Sequence, residues 1–401
     1  MPTIDTLIPE RGPHDAAALS AYDPDALAGY VLDGRNAWWR RRTCVGALAG
    51  RVPEARVAAL LDRIKDDEET GEIRIALLDL LSDRTELLPW LRHEDRSADP
   101  SYGMPDVVLK ARGLLGDRTA APELATLAFS LWRHRQQLGE AGLEALVERY
   151  GADAVVADLG DDRPEDRAFA AWMRYREDGD VTPYLADPDR RVAHAAHELA
   201  VDPDRLRAYV DEAPTTEAAV WAVCALHRIT EDSEETRGLD ERLGSPRVEV
   251  DGLDEELRRA IVHEYAPGCE RPSDPRWRLE ALCTEPPARP DPVAQPARAA
   301  AVLAAAGLAP KPPVSCGEHH QQGDGTYHVI ECDGEDVLVS TLGRFVMSHD
   351  DDHPARLPLQ EAGFRWIERE TADTEVTDLW VYYFGHRGPR DVDTLLFYWQ
   401  D

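Results

Sequence analysis

One phrase recurs along this chain, and any fold it adopts has to accommodate the recurrence. It reads Leu80-Leu81-Ser82-Asp83-Arg84-Thr85 ending at Pro89, then Leu114-Leu115-Gly116-Asp117-Arg118-Thr119 ending at Pro122, then Glu177-Asp178-Gly179-Asp180-Val181-Thr182-Pro183. Asp83 and Asp117 are 34 residues apart, and Asp117 and Asp180 are 63 apart, close to two such steps. A period of that size marks supersecondary units that bury their apolar faces only by stacking on one another.

The local chemistry of the phrase is a helix end followed by a helix start. A glycine after Leu-Leu supplies the left-handed turn that closes a helix. The aspartate accepts from free amides at the next start, and proline in the first turn loses no needed donor. A second element supplies partner helices: Asp187-Pro188-Asp189-Arg190-Arg191-Val192-Ala193-His194-Ala195-Ala196, Asp161 to Trp172, and Thr215 to Cys224. Each begins with a capping residue and places alanines at helical spacing, which lets neighbouring hairpins approach closely.

These phrases resemble HEAT repeats of the short, bilin-lyase-like type over about residues 15–245. The resemblance implies a HEAT-like helical-hairpin solenoid. It also implies a protein-binding role, since that family consists mostly of binding solenoids with a few enzymes, bilin lyases and alkylpurine-DNA glycosylases, among them.

Composition then divides the chain. Residues 1–284 read as the solenoid. Eight prolines between Pro286 and Pro313 flank an alanine-rich run, so 285–313 read as a linker with one short helix, exposed over 285–296. Residues 314–401 read as a small aromatic-rich α+β domain joined through a modest interface. Its strands are predicted only after about residue 325, from period-two runs such as Tyr327 to Cys332, Asp336 to Ser340 and Leu379 to Phe384. Thr394 to Trp399 suits strand or helix equally. The fold class expected is thus mainly α, with a small α+β C-terminal domain.

The chain carries 45 basic and 77 acidic residues, a net charge of -32. A field of that sign repels phosphate backbones and anionic lipid, which argues against nucleic acid and membrane partners. No run approaches the ~20 apolar residues of a membrane span, and the first residues do not read as a secretory signal. Six scattered cysteines without a C-x-x-C pair suit reduced thiols, and the expected location is cytoplasmic.

Three Trp-Arg segments stand out against the acidic background: Trp38-Trp39-Arg40-Arg41-Arg42, Trp132-Arg133-His134-Arg135 and Trp172-Met173-Arg174-Tyr175-Arg176. If they occupy equivalent helix ends, Trp39, Arg40, Arg42, Trp132, Arg133, Arg135, Trp172, Arg174 and Arg176 form one ridge able to hold an acidic ligand. The bland account is helix-dipole complementation and gap filling. Metal chemistry has only weak candidates: Cys316, His319, His320 and Cys332, and the run His349-Asp350-Asp351-Asp352-His353, where acidic residues also suit a helix start. His194 and His197 share a helical face among alanines, which suits packing. No nucleophile elbow, zincin, P-loop or dinucleotide motif is present, and no cofactor is implied. The reading is a non-enzymatic scaffold for a protein or peptide partner. The alternative is a HEAT-type enzyme, either DNA-base glycosylase-like or a lyase or modification factor for a small molecule or peptide.

Overall fold

The computed structural model describes residues 2–93, 103–130, 132–160, 162–177, 179–268, 271–350 and 352–400. The chain is mainly helical with a small C-terminal sheet region, and it divides into two compact units at Met173 and Arg174.

In the N-terminal unit, the helices Pro24–Leu32, Trp38–Ala47, Glu54–Ile64 and Gly71–Leu80 enclose a core of Leu27, Val31, Val45, Leu60, Leu77 and their neighbours. The long helix Arg133–Tyr150 lies close against Met104–Leu114 and Ala121–Ala128. A Cβ on Gly139 would stand 2.3 Å from the Ala128 amide nitrogen, and one on Gly113 would stand 2.7 Å from the Gly142 Cα. Backbones this close leave no room for a side chain, so glycine here is a packing requirement.

The recurring phrase does at Asp117 what its chemistry dictates. Helix Met104–Leu114 closes with Gly116 at φ +83°, and the Asp117 amide donates back to the Arg112 carbonyl at 2.9 Å. Asp117 Oδ1 then accepts from the Thr119 amide and hydroxyl at 3.3 and 2.7 Å. Asp180 repeats this with Thr182 at 3.2 and 2.7 Å. At Asp83 the side chain lies 3.6 Å from Arg84 Nε instead. All three lead into a short 3-10 turn.

A second device is carried by arginines. Carbonyls in the last turn of a helix lack intrahelical donors, and guanidinium groups from following elements supply them. Arg41 Nε donates to the Val31 carbonyl at 2.7 Å and Arg74 Nε to the Ile64 carbonyl at 2.9 Å. Arg63 donates to the Leu32 carbonyl at 2.9 Å, Arg149 to the Leu115 carbonyl at 2.8 Å and Arg228 to the His197 carbonyl at 3.0 Å. Arg41 is 2% exposed and also holds the Glu69 carboxylate with both terminal nitrogens. Glu69 in turn accepts from the Thr70 amide, at the start of helix Gly71–Leu80. Burial works to raise the Glu69 carboxyl, but Arg41 and the Thr70 amide outweigh it and hold it below its ordinary value.

In the C-terminal unit, helices from Arg190–Leu199 to Pro275–Cys283 precede nine strands among the described residues. These are β1 Val314–Ser315, β2 Asp324–Gly325, β3 Tyr327–Cys332, β4 Glu335–Ser340, β5 Phe345–Met347, β6 Arg365–Trp366, β7 Glu375–Tyr383, β8 His386–Asp391 and β9 Trp399–Gln400. One sheet runs β1-β3-β4-β5-β6, antiparallel except for the parallel β5–β6 pair; β7 pairs with β8, and β2 with β9. The first strand therefore precedes residue 325, contrary to expectation, because a two-residue strand carries no periodic signal. The ambiguous run resolves as a helix, Val392–Leu396, followed by β9.

The segment read as a linker also differs. Its helix Ala294–Ala305 buries Ala299 and Leu303 against Ile330, Val337, Val346 and Trp366 of the sheet. Nor is the sheet region joined by a modest interface. Leu257, Ile261 and Trp277 share one core with Val329, Phe345, Leu379 and Leu395. Arg190 fastens the same region: it meets Glu217 at 2.8 Å, Asp274 at 2.7 Å and Asp378 of β7 at 2.6 Å. Alanine and proline composition reads as a linker, but composition does not show that Ala299 and Leu303 lie on one face of the helix and are buried by the sheet.

Removing one partner of a buried ion pair typically costs about 3–5 kcal/mol, whereas a surface change stays within about 0.5 kcal/mol. Arg41→Met should therefore lower the unfolding free energy by about 3 kcal/mol or more, and the adjacent Arg42→Met should leave it nearly unchanged. Urea denaturation of the two variants checks this.

Candidate functional site

The three Trp-Arg segments do not occupy equivalent positions. Trp38 and Arg133 open their helices, whereas Arg174 and Arg176 lie in the last turn of Pro164–Glu177. The segments read alike in sequence, but their phase along the helix differs. Two of the three therefore place cations at a helix N-terminus, where the dipole opposes them.

Most of the nine residues are held by the chain itself. Arg40 Nε donates to the Ile8 carbonyl at 2.9 Å, its NH1 meets Asp5 at 3.0 Å, and its guanidinium stacks on Trp39. Arg135 grips Asp106 through two bonds of 2.8 and 3.0 Å. Trp172 is half-buried against Phe169. Arg174 and Arg176 are exposed, as are Arg133 and Trp132, the last with 41% of its surface free.

Arg42 is the exception among the cations of the first segment. It is exposed and, among the described residues, has neither a hydrogen bond nor an ion pair. It lines two surface pockets of the N-terminal unit. The first, about 600 Å³, is bounded by Trp38, Trp39, Leu19, Thr43 and His14. The second, about 440 Å³, is bounded by Val45, Ile75, Leu80, Glu72 and Asp79. Trp38 keeps 43% of its surface exposed. Asp79 is engaged with Lys110 at 2.8 Å. Both pockets also include Gly46. Chemically, the site offers two apolar hollows, indole faces and one unspent guanidinium, which suits an anionic group flanked by apolar ones.

Of the residues named from sequence, Trp39 and Arg42 belong to this site. Trp38, His14 and Gly46 were not singled out as site residues. The one available signal was an isolated glycine inside a helical pattern.

The weak metal candidates do not converge. Cys316 is buried in the core shared with Trp277, and Cys332 in the separate core beneath helix Ala294–Ala305. Burial pushes both thiols above their ordinary value. His319 does meet His349 and Asp350, along with Glu331 and Asp336, around a polar pocket of about 670 Å³. Its Nε2 lies 3.9 Å from Asp336, and Glu331 is paired with Lys311 at 2.5 Å. His320 instead stacks on Trp399 with ring centres 4.0 Å apart. In the His349–His353 run, Asp351 lies outside the described residues, and His353 is buried, accepting from the Ala355 amide at 3.0 Å. Among the described residues, no three His, Cys, Asp or Glu side chains are arranged to hold a metal ion.

His194 and His197 pack with Trp221, ring centres 5.4–5.7 Å apart. Burial lowers His194 to about 3, with His197 adding to the shift. Burial lowers His197 as well. Arg271 and Arg278 oppose a charge on His194, and Arg278 and Arg228 one on His197; Glu198, 2.9 Å from His197 Nδ1, favours both.

No helix among the described residues is long and apolar enough to cross a membrane. No family model, characterised protein or solved structure matches the chain.

The histidine pair sets a pH dependence. The folded state holds neutral His194, while the unfolded chain takes up a proton near 6.5, so stability is complete above that pH and declines below it. For His194 the decline amounts to about 2 kcal/mol by pH 5. Glu198, held at about 2 by His197, loses its contribution only below its ordinary 4.5, so the window from pH 7 to 5 isolates the histidines. Denaturation across that window should show His194→Gln with a shallower slope than the parent, by up to one proton.

Proposed function

We propose that this is a non-enzymatic interaction protein, an array of HEAT-like helical hairpins that holds a protein or peptide partner on its surface. The binding site is the groove beside helix Trp38–Ala47, and Arg42 anchors an acidic group of the partner. The observation that carries this reading is the contrast between neighbouring arginines. Arg40 and Arg41 are spent on Ile8, Asp5, Val31 and Glu69, while Arg42 faces two pockets without a partner among the described residues.

An unpaired cation in a protein of net charge -32 sits in a field that disfavours free anions at long range. Binding there must rely on short-range contacts: the planar guanidinium fork on a carboxylate, and apolar burial in the flanking hollows. Tryptophan and arginine are the residue types that dominate binding energy at protein interfaces, and the groove supplies both. A partner bound this way loses affinity when Arg42 changes, without loss of folded protein.

The test is affinity capture from the native host with parent and Arg42→Glu protein, bound species quantified by mass spectrometry. A partner should fall at least about tenfold with Arg42→Glu, as expected for a charge reversal at a contacted cation, while the melting temperature stays the same. Equal recovery of every partner by both proteins would contradict the proposal.

A further inference from the structure

We infer that the groove takes an extended polypeptide segment lying across Gly46, with a carboxylate on Arg42 and an apolar side chain in each pocket. This rests on Arg42 as the anchor and adds the form and pattern of the ligand. The two pockets share Arg42 and Gly46, one helical turn apart on the same helix. They therefore adjoin along this helix, and an occupant that crosses Gly46 reaches both.

Gly46 is the telling residue. It sits within helix Trp38–Ala47 and is absent from the left-handed positions of the chain, so no turn demands it. A Cβ added there meets nothing within 4 Å, so no neighbour demands it either. Glycine is nonetheless among the poorest helix formers. Its one structural consequence here is an open floor between the pockets, from which a long side chain, unlike a single methyl, would rise as a partition.

The occupant's pattern follows from strand geometry. In an extended chain alternate side chains point the same way, spaced about 6.6 Å apart. An occupant that fills both pockets and presents a carboxylate between them uses positions i, i+2 and i+4. The pattern is apolar-x-acidic-x-apolar. Trp39 and Leu19 receive one apolar group, and Ile75 and Leu80 the other.

The probe is a displayed library of random seven-residue peptides, selected on the full-length protein and counter-selected on Arg42→Ala. Apolar-x-acidic-x-apolar sequences should be enriched. A synthetic, fluorescently labelled winner should bind the parent at least tenfold more tightly than its lysine-centred counterpart. Gly46→Leu should weaken it at least tenfold with an equal or higher melting temperature, and Gly46→Ala, too small to partition the groove, should stay within threefold. If Arg42→Ala abolishes binding but Gly46→Leu does not, the inference of a segment crossing Gly46 is overturned while the anchor stands. If enriched peptides bind Arg42→Ala equally, or none is enriched, both are overturned.

Discussion

The buried guanidinium of Arg41 holds together three elements that its sequence neighbours do not. It closes the end of helix Pro24–Leu32 through the Val31 carbonyl, sits within helix Trp38–Ala47, and fixes Glu69 at the start of Gly71–Leu80. Taking two charges out of water costs several kcal/mol per ion, and that cost is offset only when nearly every donor and acceptor finds a partner. Here the donors meet a carbonyl and both carboxylate oxygens, and one of those oxygens takes an amide as well. The same logic, an arginine reaching back to a bare helix end, recurs at Arg74, Arg149 and Arg228. Most arginine in the helical region is therefore structural material. An arginine left outside this system, as Arg42 is, calls for a different explanation.

The C-terminal unit uses the device at a junction. Arg190 gathers Glu217, Asp274 and Asp378, so helix Thr216–Thr230, the cap of helix Pro275–Cys283 and strand β7 meet at one cation. Asp274 is fully buried there and is also held by Arg276 at 2.8 Å. The Trp277 indole donates to the Thr377 carbonyl at 3.2 Å beside it. This is why the sheet region does not hang from the helices as a separate module.

Much of the local structure was legible because it is decided by neighbours in sequence. Gly116 and Asp117 announce a helix end and a new start, and the structure places each in that role. What escaped was decided by distant packing. Val314–Ser315 is a strand only because Val329 and His328 lie beside it. The alanines of Ala294–Ala305 read as linker filler, yet one of them, Ala299, is buried in a core with Ile330 and Val337. Adjacency to tryptophan does not fix which way an arginine points. Arg40, Arg41 and Arg42 are consecutive, and successive helical positions turn them toward a loop carbonyl, the core and the groove in that order.

Side-chain NMR reads directly whether Arg42, the arginine of its helix unpaired among the described residues, meets a ligand. With arginine Nε–Hε resonances assigned in the full-length protein, Arg41 and Arg74 should show slow solvent exchange and Arg42 fast exchange. On titration with a groove-binding peptide carrying one carboxylate, the Arg42 resonance should move and its exchange should slow while Arg41 and Arg74 stay fixed. A peptide that binds with Arg42 unmoved, while Arg133 or Arg176 responds instead, would contradict the account.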